Sequence, residues 1–260
     1  MTPRTACLAL ALLLVATVAP VRAAQDQVEP DRPDVTNGTK TVPPGAWQIE
    51  AGIEYSRTSE AATATERRFL VDTLGRAGVT ERLELQVGWQ PLVHLRGDED
   101  DTGFGDVTLA AKYRFFDGGS AWPALGVRPF VKLPAAAEPI GSGRADFGAL
   151  ALATFDLPAG FGLDVNAGIA AIGQSRPSGH LLQALTSASL SAEIGAATPF
   201  IEFFFASRGE RDARDALGAV TGVVYRVTKR LALDAAVQTS LGGVGPDWAL
   251  RAGVTLLFGR

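Results

Sequence analysis

The sequence predicts an all-β fold, a closed antiparallel transmembrane β-barrel of about twelve strands with short periplasmic turns and long extracellular loops. Three observations predict it. From Trp47 onward, segments of about ten residues alternate apolar with polar or Gly, and a period of two is the signature of a strand. The connections between these segments are alternately long and short, as in bacterial outer-membrane barrels. The chain also opens with the pattern of an export signal.

That signal reads Arg4, then an apolar run from Ala6 to Ala19, then Val21-Arg22-Ala23 with small residues placed for cleavage after Ala23. The run is shorter than the ~20 residues a membrane helix needs. Residues 1–23 are therefore expected to leave, and with them goes the only cysteine, Cys7, so the mature chain holds neither a disulfide nor a thiolate metal site. Removing Arg4 and Arg22 turns 24 basic and 28 acidic residues into 22 against 28, a net charge of −6. An acidic balance argues against nucleic acid as a partner.

Residues 24–45 are rich in Pro, Asp, Thr and Gly and show no apolar period, so they cannot bury a core of their own. They read first as a periplasmic tail ahead of the first strand, with a segment folded into the lumen as the alternative. Residues 46–260 form one unit, because barrels commonly run to roughly 200–250 residues as a single domain.

The expected strands are 46–57, 66–76, 80–91, 105–116, 123–133, 146–156, 161–171, 182–194, 198–206, 216–226, 230–240 and 247–258. In the first, Trp47, Ile49, Ala51, Ile53 and Tyr55 share one face, and Gln48, Glu50, Gly52, Glu54 and Ser56 share the other. The sixth, eighth and tenth alternate poorly. Pro129 and Pro199 interrupt the fifth and ninth, since proline cannot donate to a ladder. Polar connections such as 91–103, 134–146 and 206–216 follow odd-numbered strands, which puts both termini in the periplasm.

Periodicity does not say which face is inside. Aromatic residues do: Trp47 and Tyr55, Phe147 and Phe155, and Trp248 and Phe258 sit near opposite ends of their strands on the apolar parity. At ~3.3 Å per residue and a tilt of ~40°, the two levels lie roughly 20–25 Å apart, the height of an outer-membrane apolar band. The polar parity then faces the lumen. It carries Glu50, Glu54, Arg82, Glu84, Asp106, Lys112, Arg114, Arg128, Lys132, Asp164, Glu202, Asp234 and Arg251, the candidate lumen-lining residues.

Enzymatic chemistry finds little support. His94 and His180 are the only histidines, both expected in long outer loops, and no G-x-S-x-G elbow occurs. The acidic run Asp98-Glu99-Asp100-Asp101 lacks the spacing of a calcium loop and reads as a solvated loop. No cofactor or metal is expected.

DRPDVTNG (31–38), GAWQIEAGIEY (45–55), GVTERLELQVG (78–88), GFGDVTLAAKYRF (103–115), VKLP (131–134), LDVNAGI (163–169), the strand carrying Ile201-Glu202, and RLALDAAV (230–237) resemble, in this order, the family of outer-membrane transporters named after the meta-pathway of phenol degradation. The resemblance covers nearly the whole mature chain. It implies an outer-membrane barrel that passes small organic compounds, often aromatic or otherwise hydrophobic, with outer-membrane lipid, lipopolysaccharide and the barrel-assembly machinery as partners. The chain departs from the family in the loop after Pro134 and in ending Phe-Gly-Arg.

About eight strands leave an interior that side chains fill, and 16 to 18 leave an open channel. Twelve, with charged pairs bracing the wall, points to passive, selective diffusion of a small solute. The alternative is a non-conducting structural or adhesive barrel acting through its outer loops.

Overall fold

A computed structural model describes residues 27–59, 65–97, 100–119, 122–175 and 177–259. The expected signal, Asp98 and Glu99 lie outside the described residues. Twelve long strands and one short one follow in chain order: β1 (Trp47–Thr58), β2 (Glu66–Gly78), β3 (Leu83–Arg96), the short β4 (Asp101–Gly103), β5 (Val107–Phe116), β6 (Ala124–Leu133), β7 (Asp146–Asp156), β8 (Phe161–Gln174), β9 (Gly179–Ala192), β10 (Ala197–Ala206), β11 (Ala216–Thr228), β12 (Leu231–Gly243) and β13 (Trp248–Phe258). Each long strand pairs antiparallel with its neighbours. β1 bonds both β2 and β13, and β3 bonds both β2 and β5, so the ring closes without an edge. A closed ring satisfies every strand's backbone internally, the condition for crossing lipid.

Exposure alternates along β1 in the inverse sense to a soluble sheet: Trp47 and Ile49 are 62% and 49% exposed, Gln48 and Glu50 1% and 0%. The apolar face therefore meets lipid and the charged face is inside. At the short-turn end Trp47 pairs with Phe258, and at the other end the rings of Tyr55 and Trp248 are 5.7 Å apart.

Both prolines sit where the ladder lapses. Pairing of β5 with β6 skips from Ala110–Phe130 to Tyr113–Val127, and β10 pairs with β9 only from Phe200 onward. Neither proline is asked for a missing bond.

The strand ends differ from expectation in one systematic way. β3, β8, β9 and β12 reach further toward the long-loop end than an alternating pattern of membrane-spanning length suggests, so that β8 and β9 pair as far as Gln174–Gly179 and only 244–247 joins β12 to β13, where long loops were expected. His94 and His180 consequently lie in β3 and β9 instead of loops. Part of the acidic run forms structure as well, since Asp101 opens β4. At the other end, Arg82 lies in the turn before β3.

Candidate functional site: a lumen filled by the N-terminal arm

Residues 28–46 enter the ring at its short-turn end, rise into the lumen and return to the same end. The entry is fixed by the Val28 N–H, which donates to the Lys229 carbonyl at 2.8 Å, and by an apolar plug base of Val28, Val42, Ala46, Ala232 and Leu257. Between these points the arm bonds side chains of β1, β2, β3, β5, β7, β8, β9, β10, β12 and β13. Only a segment inside the ring can reach so many of its members. The arm does not hang from the barrel as a tail. Its lack of an apolar period suits a seat lined by charge.

The arm's rise is anchored on a buried charge cluster. Arg76 Nη1 lies 2.9 Å from Glu50 and 3.3 Å from Asp31 of the arm, and its Nε donates to Glu84 at 2.9 Å. Lys112 Nζ lies 2.8 Å from Asp31 and 3.7 Å from Glu84. The side chains of Arg76, Glu50, Glu84 and Lys112 are all 0% exposed. Spare acceptor capacity is taken up by arm backbone: Glu50 receives the Asp31 and Arg32 N–H groups at 3.0 Å, and Glu84 receives that of Val42 at 2.7 Å. Buried charges are tolerable only when paired and hydrogen-bonded in this way.

A second cluster holds the crest. The Arg32 guanidinium pairs with Asp72, reaches Asp234 at 3.5 Å and donates to the Ala252 carbonyl at 3.4 Å. It fits because Gly52 and Gly253 face each other across β1 and β13. A Cβ on Gly52 would stand 2.0 Å from Arg32 Nη2, and one on Gly253 would stand 2.7 Å from Arg32 Nε. Beyond it, Glu202 accepts from the Val35 N–H at 3.0 Å and from both the N–H and the hydroxyl of Thr36 at 2.8 Å. Asn166 accepts from the Asn37 N–H at 2.7 Å, and Thr154, itself bonded to Asp164, accepts from the Thr39 N–H at 2.9 Å. Asp34 accepts from the Ser189 hydroxyl at 2.9 Å. Burial, with the negative charges of Glu202, Asp164 and Asp31 nearby, holds the Asp34 carboxyl well above its ordinary range, against the lowering effect of that hydrogen bond.

The remaining charged candidates brace the wall. Arg251 joins Glu54 at 2.8 Å and also donates to the Pro33 carbonyl of the arm at 3.0 Å, while Arg128 donates to Gln86 at 2.7 Å. Lys132 bridges Asp106 and Asp146 at 2.8 and 3.0 Å near the long-loop end. Arg82 and Arg114 meet Asp117 on the short-turn rim, where Arg114 and the arm's Thr41 hydroxyl both donate to the Glu81 carbonyl. Sequence reasoning passed over Asp31, Arg32, Asp72 and Arg76. Arg76 and Asp72 share the polar parity of β2 and were legible there, whereas the arm residues carried no periodic signal.

The other mouth is narrowed by the 134–145 connection. Asp106 accepts from the Ala136 N–H at 3.0 Å, and Ile140 packs on the inward-facing Leu70, Val93 and Leu95. Apolar side chains also face inward between the two closures: Phe200 lies with Val220, Ala236 and Phe204, and the edges of the Phe200 and Phe204 rings cover Gly222 and Gly218.

A closed ring with an apolar exterior, a charged interior and an internal plug defines an outer-membrane β-barrel. The chain belongs to the family described as "Putative MetA-pathway of phenol degradation", which matches residues 30–258. Comparison with curated protein sequences gives no match. Among solved structures, an outer membrane channel from Pseudomonas putida is similar at a TM-score of 0.67 and 17% identity, covering 89% of this chain and 100% of that one. The transport unit of the autotransporter AIDA-I from Escherichia coli gives 0.54 at 10% identity, covering 90% and 93%. The NanC porin gives 0.53 at 12%, covering 81% and 98%. At these identities the likeness is one of fold.

Proposed function

We propose that the protein is a passive outer-membrane channel for small organic solutes, with apolar or aromatic ones favoured, and that the N-terminal arm holds it closed at rest. The single observation that carries the reading is the arm's seat: a lumen wide enough to admit a chain segment is filled by one that is held through polar contacts and not through a continuous apolar core. Displacing it frees a passage whose wall alternates charged clusters with Phe200, Phe204 and Val220. Family membership and the fold of the Pseudomonas putida channel support the same reading.

The test is uptake into liposomes, with and without folded protein, across a panel of neutral aromatics, aromatic acids and sugars. The expected result is faster entry of the aromatics, saturable with concentration. Absence of both uptake and bilayer conductance from protein with heat-modifiable gel migration would favour a structural or adhesive barrel instead.

A further inference from the structure

The outward face carries a row of three arginines that form no ion pair among the described residues. Arg57 stands opposite Arg67 across β1 and β2, and Arg67 stands opposite Arg96 across β2 and β3. All three are exposed. Two residues nearer the membrane centre, Tyr55, Phe69 and His94 form a parallel row in the same register, and the two rows share a cleft of about 170 Å³ lined by Tyr55, Arg67, Phe69, His94 and Arg96. Like charges directly opposite each other on neighbouring strands destabilise a sheet. Three in succession call for a compensating anion.

The described residues do not supply it. Among the described residues none of the three guanidiniums forms a salt bridge, and the described acidic residues of the following loop are engaged with backbone: Asp100 accepts from the Gly97 N–H and Asp101 from the Thr102 N–H. The opposite rim is arranged differently, for there Arg82 and Arg114 both meet Asp117. The position of the row is informative too. It lies two residues beyond Tyr55 and level with Trp248, the register partner of Arg57, at the long-loop end, which in such barrels is the outer leaflet. Charged groups at that height sit among headgroups and not among acyl chains.

We propose that Arg57, Arg67 and Arg96 bind a phosphate on the headgroup of an outer-leaflet glycolipid of the lipid A type, with the Tyr55–Phe69 row packing below it. A phosphate monoester brings close to two negative charges and three acceptor oxygens, and guanidinium forks match those oxygens bidentately. A row spanning three adjacent strands can hold one such group without any change in the barrel. The site is independent of the lumen and of what passes through it.

The experiment is native mass spectrometry of the detergent-solubilised full chain titrated with diphosphoryl lipid A, with phosphate-free lipid A, and with diphosphoryl lipid A in millimolar inorganic phosphate. Wild-type protein is expected to retain diphosphoryl lipid A about tenfold or more tightly than the phosphate-free form, with inorganic phosphate displacing little. R67Q/R96Q should lose that preference, whereas R208Q/R211Q, an equal charge change in the 207–215 loop, should keep it. If the double variant does not fold, Arg57→Gln alone should lower the preference several-fold. Equal retention by the row variants, or equal binding of phosphate-free lipid A, overturns the proposal. Displacement of the lipid by inorganic phosphate overturns its lipid assignment and leaves a site for free anions.

Discussion

The Nζ of Lys112 donates to both carboxylate oxygens of Asp31 at 2.8 Å. One residue belongs to the wall and the other to the arm, and the contact is buried. Breaking a buried pair by removing one partner strands the other, typically at about 3–5 kcal/mol. Lys112→Met should fall at the lower end, because Arg76 still lies 3.3 Å from Asp31. The docked arm should then lose roughly a hundredfold in its equilibrium. Faster proteolysis at Lys40 in the folded protein and larger, more frequent conductance steps are the measurements that check it.

Gly52 and Gly253 make the notch for Arg32, so filling the notch should dislodge the arm, with a lesser push on the β13 backbone, whose Ala252 carbonyl would lie 2.8 Å from a Cβ on Gly52. Gly52→Ala places a methyl 2.0 Å from the Arg32 guanidinium, whereas Gly88→Ala meets nothing nearer than 3.8 Å. Gly52→Ala is expected to raise open probability in a planar bilayer, with heat-modifiable migration retained at a somewhat lower transition temperature because of the Ala252 carbonyl. Gly88→Ala should behave as wild type.

Asp34 predicts the pH response of the plug. Its carboxyl is raised above 3.8 chiefly by burial and by the charge of Glu202, so the docked state binds more protons than the released one. Docking is then strongest at low pH and weakens as pH rises from the ordinary carboxylate value through the raised one. Conductance should rise with pH across that window. Asp34→Asn should flatten the response and keep the arm seated at neutral pH, and a slope unchanged in this variant would remove Asp34 as its source.

Ile140 holds the 134–145 connection against Leu70, Val93 and Leu95 at the other mouth. Ile140→Ser should cost about 1–2 kcal/mol of that closure. A cysteine introduced at Ser142 should react with a membrane-impermeant maleimide about tenfold faster in this background, with no change in arm proteolysis.

The wall was legible in the sequence because alternation is a local property. From Trp47 to Phe258 each long strand lies within a few residues of where the period of two puts it. The length of β8 and β9 was not, since both run beyond the span the bilayer requires and pair with each other as far as Gln174–Gly179. The plug was harder still. Thr36 meets Glu202 across 166 residues of chain, and an irregular arm offers no period from which such a partner could be read. What the sequence did hold was indirect: charges of both signs on the polar parity, and Gly52 and Gly253 on that parity where bulk would be expected. Their meaning emerged only with Arg32 between them.

The central claim is that a seated arm closes a passage. Single-channel recording of wild type beside R32A/K112M, both checked for barrel folding, tests it most directly. The account predicts brief, low-conductance openings in the first and sustained, larger ones in the second. Identical conductance in the two, with the variant's arm shown by proteolysis to be released, would contradict it.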